Sequence, residues 1–189
     1  RYQRAEKLEK DGKLAEAADA FDALGSYSDS RTRANQARYA DAQADFDAGD
    51  YEAAAAKFEA LGKYSDARTR VKECAYQSAL LYEKDGELEQ AYDALLAIDG
   101  YEPAQTKAKE VVYALAEQLY DEGQLLDASE KFKLAGKYED AADRADACVY
   151  EQAQQLMEAG DYQEAGDLFN SIASYEDAKA QREACYDLW

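Results

Sequence analysis

One interval of 37 residues runs through the whole chain. Tyr27, Tyr64, Tyr101, Tyr138 and Tyr175 follow one another at that spacing, and each opens a similar phrase: YSDS, YSDA, YEPA, YEDA and YEDA. Tyr2, Tyr39, Tyr76, Tyr113 and Tyr150 keep the same interval, as do Gly12, Gly49, Gly86, Gly123 and Gly160. Two alanine columns share it, one at Ala5, Ala42, Ala79, Ala116 and Ala153 and the other at Ala17, Ala54, Ala91, Ala128 and Ala165. A period of this size marks a solenoid, in which each unit is a supersecondary piece that buries its apolar face only against its neighbours. We therefore expect an all-α solenoid of five helix-turn-helix repeats, about 2–38, 39–75, 76–112, 113–149 and 150–186. They form a single repeat domain over 1–189, closed by a terminal helix at about 177–189.

Composition decides between helix and sheet. The chain has 40 Ala but only 9 Val, Ile and Thr together, and β-branched residues are what a pleated, half-buried sheet needs. Leu, Ile, Val and Phe make up 28 of 189 residues, which with a formal charge of -19 is a composition associated with disorder. The fixed register of the tyrosines and alanines argues for order instead. Ala67, Val71, Cys74, Ala75, Ala79 and Tyr82 trace one helical face. Ser65-Asp66 offers short polar caps at its start, and Gly86 suits a left-handed end. A shorter stripe, Tyr51, Ala54, Ala55, Phe58 and Leu61, is closed by Gly62. The unit is thus a helix hairpin. Pro103, the only proline, falls at an expected helix start, where its ring is accommodated.

These residues resemble a known family. GDYEAAAAKFEALGKYSDA and GDYQEAGDLFNSIASYEDA look like the second half of tetratricopeptide repeats, with a glycine-centred turn, a small alanine and an aromatic one turn later. The column from Ala5 to Ala153 matches the family's small first-helix residue. The chain departs from the pattern in its period, 37 rather than the family's roughly 34, and in Asp45, whose column elsewhere holds Leu8, Tyr82, Leu119 and Leu156. Sel1-like repeats are a rival resemblance, but their glycine-rich first helix and tryptophan-tyrosine pairs are absent. The resemblance implies a right-handed superhelix whose first helices line a groove for a peptide or a partner's helix.

The candidate surface follows from helical angle. Tyr39, Gln43 and Phe46 run along one flank of the apolar stripe, as do Tyr76, Leu80 and Glu83, then Tyr113, Glu117 and Tyr120, then Tyr150, Gln154 and Met157. Tyrosine gives apolar area with a polar tip at low entropy cost. The candidate partner-binding residues are Tyr39, Phe46, Tyr76, Leu80, Tyr113, Tyr120, Tyr150 and Met157. The same tyrosines suit a second role, as spacers packed between successive first helices, and the sequence leaves both open. The column from Tyr27 to Tyr175 precedes each first helix, where an aromatic staples the chain onto the following turn. Asp29, Asp66, Asp140 and Asp177 read as helix-start carboxylates rather than metal ligands.

Other chemistries find little support. There is no His, so the usual imidazole base and commonest zinc ligand are missing. No catalytic constellation stands out, and we expect no enzyme, cofactor or metal. Cys74, Cys148 and Cys185 share one column with Ala37 and Val111 and read as small apolar filler without a disulfide. Asp45, Asp47, Asp50 and Glu52 lack a calcium loop's glycine placement, since Gly49 precedes Asp50. At -19 the surface field repels nucleic acid and anionic lipid and attracts a basic or amphipathic polypeptide. No apolar run is long enough to span a membrane. No cleavable leader opens the chain, which starts at Arg1 rather than Met, so we expect a piece of a longer protein. The expected function is a non-catalytic protein- or peptide-binding scaffold using the first-helix surface. The alternative is a structural spacer or self-assembly element of a larger surface or membrane-attached protein.

Overall fold

The computed structural model describes all of Arg1–Trp189 and contains eleven helices and no strand. The helices are α1 (Tyr2–Lys10), α2 (Leu14–Asp22), α3 (Ser30–Ala48), α4 (Tyr51–Leu61), α5 (Ala67–Lys84), α6 (Leu88–Leu96), α7 (Glu102–Asp121), α8 (Leu125–Ala135), α9 (Ala141–Ala159), α10 (Tyr162–Ser171) and α11 (Ala178–Leu188). Two compact units emerge, Arg1–Lys84 with Ala97–Tyr101, and Asp85–Leu96 with Glu102–Trp189. Within the first, α1 to α5 pack each on the next, and within the second α6 to α11 do the same. The fold is all-α, with neighbours packed in chain order and internal features recurring every 37 residues. No helix is long and apolar enough to cross a membrane.

Long and short helices alternate as the stripes predict. The long ones, α3, α5, α7 and α9, have 18 to 20 residues, and the short ones 9 to 11. The expected repeat boundaries at residues 39, 76, 113 and 150 fall inside the long helices, because that register is counted from a tyrosine in mid-helix. Gly86 follows α5 with φ +81°, and Gly62 ends α4 with φ +59°, conformations that a side chain resists.

The helix starts differ from expectation in one respect. Asp29, Asp140 and Asp177 occupy the position before α3, α9 and α11, yet none of their side chains caps a backbone N–H. Their carboxylates are engaged elsewhere, as described below. Immediately before each, Ser28, Glu139 and Glu176 adopt φ of +51°, +44° and +42°, and Ser65 before Asp66 adopts +49°. Left-handed backbone at a non-glycine residue is unfavourable, so packing of the flanking tyrosine and helix must hold this turn. Glu102, in the same column, is no such residue. It precedes Pro103, and α7 begins there, ahead of the register set by Ala67, Ala141 and Ala178. Proline's fixed φ starts the helix early.

Each unit is filled by side chains that recur at the 37-residue interval. Phe21, Phe58, Phe132 and Phe169, with Leu95 in the same column, are fully buried, and the two alanine columns are sealed at their sides. In the first unit Phe58 packs with Ala42, Ala54, Ala67 and Cys74. In the second, Phe132 packs with Val112, Ala116, Leu125 and Cys148, and Phe169 with Ala153, Ile172 and Cys185. All three cysteines are free and buried, and burial pushes each thiol's pKa up. Asp45, the misfit of its column, is matched by Lys57, whose Nζ lies 2.6 Å from Asp45 and 2.7 Å from Asp41. The neighbouring acids have structural partners too: Asp50 caps α4 by accepting the Ala53 N–H, and Asp47 accepts from Gln43.

Candidate functional site

The long-helix flank is built from side chains that recur in register. Tyr39 donates its hydroxyl to Asp66 at 2.6 Å, and Tyr113 donates to Asp140 at 2.6 Å. Tyr2 and Tyr150 make the same bond to Asp29 and Asp177. Every bond spans 27 residues and ends on the aspartate just before a later helix: α3 for Tyr2, α5 for Tyr39, α9 for Tyr113 and α11 for Tyr150. Tyr76 lacks it, since the matching column position holds Pro103.

The tyrosine rings sit edge-on to two further aromatics. Tyr39 meets Phe58 at 5.2 Å and Tyr64 at 6.2 Å, Tyr113 meets Phe132 at 5.1 Å and Tyr138 at 5.5 Å, and Tyr150 meets Phe169 at 5.3 Å and Tyr175 at 5.8 Å. Edge-to-face geometry of this kind adds roughly 0.5–1.5 kcal/mol per pair beyond area burial. The Tyr27-to-Tyr175 column thus staples onto the other tyrosine column, one aromatic against the next. Tyr76 keeps only the contact with Tyr101, at 5.8 Å.

An arginine closes three of these rungs. The Arg70 guanidinium lies 4.3 Å from the Phe46 ring centre and 5.4 Å from that of Phe58, and it donates to Gln43 at 2.7 Å. Arg144 lies 4.9 Å from Tyr120 and 5.2 Å from Phe132, and pairs with Glu117 at 2.7 Å. Arg33 stacks 4.9 Å from Phe21 and pairs with Glu9. A planar guanidinium that stacks on rings and bonds a carboxylate or amide does what a lysine cannot. These arginines share one 37-residue column with Lys107 and Gln181. That column is visible in the sequence once the register is applied, but it carries no candidate role there.

The candidate residues therefore divide. Tyr39, Phe46, Tyr113, Tyr120 and Tyr150 are half-buried, with their rings packed in the junctions; Tyr120 also donates to Glu151 at 2.9 Å. Met157 packs beside Tyr150 against the core around Phe169. Leu80 is half-buried on α5, one turn from Tyr76. Exposed positions on the long helices include Ala40, Ala44 and Asp47 on α3 and Ala114, Gln118 and Asp121 on α7, with two large apolar side chains, Leu81 and Tyr82, uncovered on α5.

Hydrogen bonding and burial shift the junction groups in opposite directions. Burial, then the bond to Asp66, pushes Tyr39 up to about 12. The bonds to Asp140 and Asp177, then burial, push Tyr113 and Tyr150 up to about 12. The tyrosine hydroxyls hold Asp29, Asp66 and Asp177 below the usual carboxylate range. A tyrosine whose folded pKa exceeds its unfolded value of about 10 adds stability fully present below that pH and lost as pH climbs toward the folded value. We expect Tyr39, Tyr113 and Tyr150 to ionise last among the 16 tyrosines, with helix content falling as they do. An ultraviolet phenolate titration followed alongside circular dichroism checks this. All tyrosines ionising together at the ordinary value in a still-helical protein would refute the bonds.

No protein-family model matches this chain. A search of curated proteins likewise finds no match.

Proposed function

We propose that this chain is a non-catalytic scaffold that holds a protein or peptide along the surface of its long first helices. In this reading its hairpins are five tetratricopeptide-like repeats, winding as a right-handed superhelix and followed by a C-terminal helix. The observation that carries it is the recurrence of one junction: a tyrosine-aspartate bond made by Tyr2, Tyr39, Tyr113 and Tyr150, with an arginine stacked on aromatics beside the first three. Repeated junctions fix one long helix against the next, which is what a pre-organised binding surface requires. A charge of -19 favours a basic or amphipathic partner, whose association slows as salt rises.

Alanine at Tyr39 or Tyr113 would mix lost binding with a broken junction, so exposed neighbours give the cleaner test. Ala40→Arg with Ala114→Arg adds bulk and positive charge on α3 and α7 without touching a buried contact. We expect a basic partner captured by the native protein to bind this variant at least about tenfold more weakly, from like-charge juxtaposition. Unchanged capture by a variant of native helicity would refute the first-helix reading.

A further inference from the structure

The second unit carries a groove on its other helices. It lies between the short helices α6 and α8, is floored by Leu115 and Leu119 of α7, and is walled by Glu89, Asp127, Glu130 and Lys131, with a volume of about 310 Å³. Its counterpart in the first unit shows why it is open. The positions two repeats earlier are Asp41, Asp45 and Lys57, and there the lysine is drawn in between both aspartates. The corresponding space beside α2 and α4 is only about 130 Å³. In the second unit leucines replace the aspartates, so Lys131 has nothing to pair with below and turns outward to Glu89 of α6 at 3.2 Å. An ionic plug has become an apolar floor.

The walls continue in an ordered way. Residues seven apart on a helix lie nearly in line, so Leu96 extends the wall begun by Glu89, and Leu134 extends the wall begun by Asp127. Both are exposed, at 58% and 55%. The groove therefore has a carboxylate-rich end, with three acids against one ammonium, and an end rimmed by two uncovered leucines. The Lys131–Glu89 pair is itself exposed on the Glu89 side and readily exchanged.

We propose that this groove is a docking site for a basic amphipathic segment of another polypeptide. The segment lays apolar side chains over Leu115, Leu119, Leu96 and Leu134 and sets lysines or arginines against Glu89, Asp127 and Glu130. The fit is one of charge and pattern: an acidic wall beside an apolar floor complements a helix with one basic and one aliphatic face. This surface is distinct from the long-helix flank, and either can hold without the other.

The probe is a synthetic amphipathic helix of leucine and lysine alone, fluorescently labelled and titrated with the full chain by anisotropy. The decisive variant is Leu115→Asp with Leu119→Asp, which rebuilds the plug of the first unit around Lys131. It separates two causes cleanly, because it adds negative charge while closing the groove. Docking in the groove predicts at least about tenfold weaker binding, the worth of one buried leucine. General attraction to an acidic protein predicts equal or tighter binding, and that result overturns the proposal. If that variant loses helicity, Leu96→Ser with Leu134→Ser, both at exposed positions, decides: weaker binding upholds the site, and unchanged binding overturns it. Absence of saturable binding to the native chain also overturns it.

Discussion

Truncating Phe132 to alanine is expected to destabilise the second unit by about 3–5 kcal/mol, the usual cost of emptying an aromatic core site. The side chain is fully buried, among Val112, Ala116, Leu125, Ala128, Ala135 and Cys148. Its ring also receives the edge of Tyr113 at 5.1 Å and lies 5.2 Å from the Arg144 guanidinium. Removing it therefore empties the core and takes the backing from the junction at once. A whole domain is commonly stable by only about 5–15 kcal/mol, so a loss of this size is a large part of what there is. Hydrogen exchange is the suitable measurement, because it reports the loss helix by helix. Protection should collapse in α7, α8 and α9 and survive in α1 to α4. Phe132→Leu sets the comparison, because Leu95 already fills the same column and is buried. Leucine is smaller and loses the ring contacts but still fills most of the site, so it should cost clearly less than alanine. Alanine proving no worse than leucine would mean that the column is not the core of each hairpin.

Much of this core could be read before any coordinates, because the register repeats each time. A column that is phenylalanine at 21, 58, 132 and 169 and leucine at 95 is apolar in every unit, and its burial follows. Helix ends were legible for a similar reason, since Gly62, Gly86 and Pro103 each restrict the backbone to few conformations. Pairings between columns were harder to see. Tyr39 and Asp66 each belong to a visible column, yet nothing local says that the hydroxyl of one reaches the carboxylate of the other 27 residues on. Local chemistry points instead to capping, which the carboxylates of Asp29, Asp140 and Asp177 do not perform. The left-handed turn at Ser65 and Glu139 was hidden as well, because sequence rules assign that conformation to glycine. Asp45 reads as a defect in an apolar column until Lys57 is placed 2.6 Å away. The groove over Leu115 and Leu119 becomes intelligible only by contrast with that pair.

The small-residue column sets the distance at which the helices of a hairpin approach, and enlarging it should be costly in a way that depends on position alone. Ala116 on α7 is completely buried in the core around Phe132, and Ala5, Ala42, Ala79 and Ala153 are equally sealed at the matching positions. Leucine there must either push α7 from α8 or adopt a strained rotamer, because interiors are packed to near crystal density. Overpacking of this kind costs typically about 1–3 kcal/mol and occasionally more. Helix propensity gives almost no offset, since alanine is already the best helix former. Ala114→Leu provides the control, two residues away on the same helix but exposed. It carries the same change in propensity and volume, and its effect should lie within about 0.5 kcal/mol of zero, as for ordinary surface substitutions. Thermal denaturation of the pair, followed by circular dichroism, should lower the midpoint for Ala116→Leu and leave Ala114→Leu near the native value. If both variants melt alike, close approach at the alanine column is not what holds α7 to α8, and the reason for alanine at 5, 42, 79, 116 and 153 must lie elsewhere.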